Sequence, residues 1–185
     1  MTVTNPARPG WGDAWTVDDL QALPEDDQVY EIFDGSLLVS PHADVFHGAI
    51  ANRLRRILDR QAPAGLLVGQ DIGVSAKRSS YFVPDLFVAR ESALASGGAA
   101  LDPSDVLLVV EVISPSNAGR DLVLKRHEYA AAGIGRYWLV EPRKQTLTVL
   151  ANGPGGYREQ ALLPVGEIYR TDEPFPLALP LADIF

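Results

Sequence analysis

The sequence predicts one α/β (α+β) domain, a mixed β-sheet with helices packed on it. Three observations predict it. Short β-rich runs dominate the chain, and only two stretches, 43–61 and about 118–132, carry a long helical period. A helix candidate between two strand candidates, 106–113 and 136–142, makes a plausible right-handed crossover between parallel strands. The run LLVVEVI at 107–113 is apolar at both alternating positions, as in a strand buried on both faces, and a single carboxylate, Glu111, interrupts it.

The totals bound the function. At 185 residues and 46% hydrophobic, the chain is expected to form a single domain over 15–185 behind a loose tail at 1–14, with a real core. Its formal charge of −8 argues against a simple basic nucleic-acid-binding module. That charge is compatible with an enzyme that gathers carboxylates around a metal. The absence of cysteine excludes disulfides, zinc ribbons and thiol chemistry, and fits a reducing cytoplasm. There is no apolar signal core near the start and no run of about 20 apolar residues, so a soluble, cytoplasmic protein without membrane contact is expected.

Taken in order, Thr16 and Asp19 resemble a capping box for a short helix ending near Leu23. YEIFDGSLLVS, 30–40, reads as a hairpin turning at Asp34-Gly35, with Glu31 on its first arm. The helix at 43–61 places Phe46, Ile50, Leu54, Ile57 and Leu58 on one face. Arg53, Arg56 and Arg60 form a stripe on another face, either a solvated surface or a phosphate-contacting edge. A strand follows at about 66–76, then a turn at 77–80. A second strand, YFVPDLFVAR, has Pro84-Asp85 near its beginning. The Gly/Ala-rich segment ESALASGGAALDPS reads as a flexible surface loop. After the 106–113 strand, Ser114 to Asn117 offer N-caps for the next helix, and Gly133 ends it. RYWLVEP, TLTVLAN and YREQALL read as strands joined by turns at 142–145 and 153–156, with a short helical LADIF at the end.

Glu111 is the residue that asks for chemistry. An ionised carboxylate inside an apolar strand costs several kcal/mol unless a bound cation or a Lys or Arg compensates it. Asp85, in VPDLFVA, and Lys125, on the helix after Glu111's strand, are the candidates to join it. Two carboxylates on neighbouring strands suit a hard cation, and magnesium commonly uses one or two with waters and a phosphate. Asp121, Lys125 and Tyr129 recur at i, i+4 and i+8 and share a helix face. The plain alternatives are a turn aspartate at 85, a structural ion pair at 111 and an exposed Asp121–Lys125 pair. Glu31 is either a surface residue of an edge strand or a further ligand. His47 is either a packing histidine or a base lining the site. Gln70 and Asp71, on the strand expected to pair with the metal strands, are candidates for supporting groups.

Pro84-Asp85 followed by Glu111-Val112-Ile113 resembles the PD-(D/E)XK nuclease superfamily. YEIFDG, SPHADVFHGAI, VPDLFV and EVISPSNAGRDLVLKRHEYAAAGIGRYWLVEP together resemble the Uma-type restriction endonuclease family, over roughly 16–185. The resemblance implies a restriction-endonuclease-like fold and a hydrolase that cuts DNA with Mg²⁺ or Mn²⁺ held by Asp85, Glu111 and the carbonyl of Val112. The lysine expected two residues after the glutamate is Ile113 here, and Lys125 is its implied replacement. Glu31, from the YE motif, is implied near the same cleft. A homodimer is expected: TLTVLAN and YREQALL are apolar strands not all expected to be covered within one subunit, and nucleases that cut both strands often act as dimers. The alternative class is a catalytically inactive nuclease-like module used for binding or self-association.

Overall fold

Residues 14–41, 44–114 and 119–185 are described by a computed structural model, apart from the side chains of Ser96, Arg120, Asp121 and Leu122. The expected tail lies, up to residue 13, outside the described residues, as do the candidate caps Pro115, Ser116 and Asn117. A 3-10 turn, Val17–Ala22, opens the described chain, and the Thr16 hydroxyl and N–H both donate to Asp19. The hairpin is β1 (Gln28–Phe33) and β2 (Ser36–Pro41). Asp34 and Gly35 both take positive φ, as a two-residue turn between twisted strands requires. Helix α1 (Val45–Gln61) follows, then β3 (Leu66–Gly69), β4 (Val74–Lys77), β5 (Ser80–Phe82), β6 (Leu86–Arg90) and β7 (Val106–Val112). A π-helical segment, Arg120–Lys125, runs into α2 (Arg126–Ala131). Then come β8 (Arg136–Glu141), β9 (Thr146–Gly153), β10 (Gly156–Pro164), β11 (Ile168–Thr171) and β12 (Leu177–Pro180), with a final 3-10 turn at Leu181–Asp183.

The strands divide into three sheets rather than the one expected. The largest has the order β10-β9-β8-β7-β6-β3, with β7 and β8 parallel as expected and the other pairs antiparallel. A second has the order β2-β1-β5-β4, and β11 pairs with β12 in a third. Two strands expected to be continuous are therefore broken. The one at 66–76 splits at 70–73, where Asp71 takes φ +58 and the chain leaves one sheet for the other. YFVPDLFVAR splits at Val83-Pro84-Asp85, because proline has no N–H for a ladder. Asp85 thus sits at the crossing between two sheets, not within a strand.

Each face of the central strands has its own core. Leu108, Val110 and Val112 of β7, Leu86 and Val88 of β6, and Trp138 and Val140 of β8 pack toward Ile50, Leu54, Ile57 and Leu58 of α1. Val109 and Ile113, with Phe87, Ala89, Tyr137 and Leu139, pack on the opposite face with Tyr129 and Ile134. The period-2 alternation of β7 places Glu111 on this second face, between Val109 and Ile113.

Three further expectations are corrected. Phe46 is 58% exposed, since the buried stripe of α1 runs through His47, Ile50, Ala51 and Leu54, one residue round the helix. The segment expected to be a loose loop carries 3-10 turns at Glu91–Ser96 and Pro103–Asp105, and buries Ala93 and Leu101. The C-terminal tail forms the β11–β12 ribbon, which adds Leu177 and Leu179 to the α1-side core. Gly133 ends α2 as expected, at φ +83, with Ile134 N–H bonding the Tyr129 carbonyl and Gly133 N–H that of Ala130.

Candidate active site

Glu111 is 2% exposed and Lys125 4% exposed, so their charges meet where water cannot screen them. The Lys125 ammonium donates to Glu111 Oε1 at 2.9 Å and Oε2 at 3.1 Å, and to the Val83 carbonyl at 3.1 Å. Glu31 Oε1 lies 3.0 Å from the same nitrogen. Three partner residues meet the three N–H bonds of one ammonium. Lys125 is therefore turned inward, and the exposed-pair reading with Asp121 does not hold; the Asp121 side chain lies outside the described residues.

The local folding of each member follows from the chain. Glu31 lies on β1, which is flanked by β2 and β5 and so is not an edge strand. It is 1% exposed and accepts the Val83 N–H at 3.1 Å. Val83 thus uses its N–H on Glu31 and its carbonyl on Lys125. The residues alone did not point to Val83; the available signal was the proline after it, which keeps it extended and leaves the following ladder open. Tyr129, one helical turn after Lys125, donates its hydroxyl to Glu111 Oε1 at 3.1 Å. Burial first, then the charges of Glu111 and Glu31, push the Tyr129 pKa well above 10.0, so the phenol stays a donor.

Asp85 occupies the adjoining position. Its Oδ2 accepts the Val112 N–H at 2.7 Å and lies 3.0 Å from His47 Nε2. Asp44 caps α1 by accepting the His47 N–H at 2.9 Å, which fixes the first turn of the helix and hence the histidine. Burial works against protonating His47. The Asp85 hydrogen bond and charge, a backbone bond to Val112 and the charge of Asp44 outweigh it, and the pKa is raised above 6.5. His47 is therefore a group touching the site rather than a packing histidine. Asp85 is 25% exposed, and among the described residues its Oδ1 accepts no hydrogen bond.

Ile113 lies on the same face of its strand as Glu111, within the apolar cluster around Tyr129. A cation there would face hydrocarbon, whereas Lys125 reaches Glu111 from the helix side. Gln70 and Asp71 are not brought to the carboxylates. They lie in the loop between β3 and β4, where Gln70 Nε2 donates to Asp71 Oδ2 at 3.0 Å. Val112 contributes backbone contacts to Asp85 and His47. Arg56 and Arg60 stay exposed, and Arg53 reaches the Phe185 carbonyl at 3.1 Å.

Among the described residues, no three His, Cys, Asp or Glu side chains form a ready metal cage. Asp85, with a side chain 25% exposed, and Glu111, whose two oxygens both accept from Lys125, are the carboxylates that could hold an ion whose shell is completed by water and phosphate oxygens.

A mixed α+β fold with a buried lysine gathered among carboxylates is the class that the structure defines. The chain belongs to the Uma2 family, described as "putative restriction endonuclease", whose model matches residues 17–182. A solved structure of a "putative nuclease belonging to DUF820" from Anabaena variabilis is similar in fold. Its TM-score is 0.73 at 18% identity, covering 92% of this chain and 97% of that one. No curated protein matches. No helix among the described residues is long and apolar enough to cross a membrane.

Proposed function

We propose that this protein is a metal-dependent endonuclease that hydrolyses phosphodiester bonds in DNA, in the manner of a PD-(D/E)XK nuclease. The observation that supports the reading is the buried Lys125–Glu111 ion pair on a strand whose next residue, Val112, donates its N–H to Asp85. Asp85 and Glu111, with the carbonyl of Val112, would hold Mg²⁺ or Mn²⁺. Bound there, the ion would lower the pKa of a water and polarise the scissile phosphate. Lys125 stabilises the negative charge that develops on phosphorus, and Glu31 and Val83 hold its ammonium in place. His47 bonds Asp85 Oδ2 and so orients that carboxylate.

The test is hydrolysis of duplex, single-stranded and branched DNA in Mg²⁺ or Mn²⁺. Wild type is expected to cut at least one of them and Glu111→Ala none. Equal behaviour of the two proteins on all three substrates sinks the reading.

A second reading is a nuclease-like module that only binds. The engagement of Lys125 by both Glu31 and Glu111 favours it, since that ammonium is already neutralised. A cation site makes wild type more heat-stable in millimolar Mg²⁺ or Mn²⁺ by mass action, and Asp85→Ala removes the gain. No shift in either protein favours the module. The protein is further proposed to be a cytoplasmic homodimer. The cysteine-free composition fits that compartment. Exposed Leu162, Val165 and Ile168, on and after the outer strand β10, support self-association, which sedimentation can check.

A further inference from the structure

A cavity of about 250 Å³ opens beside the carboxylate–lysine cluster, lined among others by Gln28 and Tyr30 of β1, Asp71 of the β3–β4 loop, Tyr81 of β5, and Val83. Val83 is shared with the cluster, since its backbone bonds Glu31 and Lys125. We propose that this cavity holds one unpaired nucleobase of the DNA strand whose phosphate lies at Asp85 and Glu111. The inference rests on the nuclease reading and adds to it the form of the substrate: a strand with a base free of its partner.

Four observations carry it. The volume falls just below the range of about 300–1,000 Å³ typical of pockets for drug-sized ligands, which suits a base rather than a whole nucleotide. Two aromatic rings line it, and stacking on aromatic faces is the usual way to hold an unpaired base. Each ring has a contact of its own. The Tyr30 hydroxyl donates to the Asp26 carboxylate at 2.9 and 3.1 Å. Tyr81 lies against Gly73 so closely that a Cβ there would stand 2.0 Å from its ring, which explains a glycine at 73. Finally, the rim carries groups able to meet a base edge. The Gln28 amide has no hydrogen-bond partner among the described residues, and Asp71 holds an exposed carboxylate at positive φ. The Tyr81 hydroxyl, its pKa raised by burial against an opposing backbone bond from Gly73, with the Glu31 charge adding to the rise, remains a donor.

The experiment measures kcat/KM on a short single-stranded DNA and on copies with one abasic nucleotide placed at each position in turn. Wild type, Tyr30→Ala, Tyr30→Phe and Gln28→Leu are compared, with thermal midpoints to confirm folding. Wild type should lose about tenfold at one abasic position near the cut. Tyr30→Ala should lose a similar factor on the intact strand and nothing more on that abasic strand, while Tyr30→Phe keeps wild-type behaviour. Losses that multiply, or an abasic scan and a Tyr30→Ala variant that both match wild type, overturn the pocket while leaving the nuclease intact. A wild type that cuts no DNA overturns the nuclease reading, and the subsite with it.

Discussion

Replacing Lys125 by methionine removes one buried cation and leaves two buried carboxylates facing one another. The two are Glu111, 2% exposed, and Glu31, 1% exposed, and both take the lysine nitrogen at about hydrogen-bond distance. Glu31 keeps the Val83 N–H and Glu111 keeps the Tyr129 hydroxyl, but neither donor supplies a charge. Breaking a buried ion pair from one side costs about 3–5 kcal/mol. For a chain of 185 residues that lowers the melting midpoint by roughly 6–20 °C. The loss has a pH signature. Without the cation the two buried carboxylates repel one another, and neutralising either of them relieves that repulsion. The penalty in Lys125→Met should therefore shrink as the solution is acidified, where one proton replaces the missing ammonium. A triple variant, Lys125→Met with Glu31→Gln and Glu111→Gln, should recover much of the loss, because no net charge is left buried. Urea or thermal unfolding at several pH values provides the measurement. A Lys125→Met protein as stable as wild type at neutral pH, or one whose deficit grows on acidification, would refute the assigned electrostatics.

Three other outcomes follow from the same contacts. Tyr129→Phe removes a 3.1 Å hydrogen bond to a charged acceptor and should cost about 1.5–3 kcal/mol by urea unfolding, with the fold retained. Leu54→Ala, at a fully buried position of the α1-side core, should cost about 2–5 kcal/mol, the usual range for a cavity left in a packed core. Asp102 caps the Pro103–Asp105 turn, and its bonds from the Ser104 side chain and N–H lower its pKa below 3.8. A depressed carboxylate contributes stability that is present above its unfolded pKa and lost as pH falls through the folded one. Asp102→Asn should thus be slightly less stable than wild type at neutral pH, converge with it in acid and show a flatter decline in stability below pH 3.8; an unchanged acid limb would count against the cap.

Much of this protein was legible in the residues themselves, for physical reasons that can be named. The Asp34-Gly35 turn between β-rich arms was enough for the first hairpin, because register in a two-residue turn is set locally. The continuous apolar run of β7 announced a strand buried on both faces, and Glu111 within it announced an uncompensated charge. Which compensator meets it was not legible. Lys125 on a helix can face solvent or core, and only the packing of the π-helical segment and α2 against the second face of the sheet turns it toward Glu111. Glu31 lies 80 residues from Glu111 in sequence and meets it only through that lysine, because β1 pairs with β5 and the chain crosses between sheets at Val83. The breaks at 70–73 and 83–85 were hidden for the same reason. Residues at a crossing between sheets read like strand until the second sheet is known. The sequence by itself therefore determined the class of elements and the charges that needed partners. The tertiary structure decided the pairing, because the cost of burying a charge is met by whichever opposite charge the packing brings within about 3 Å.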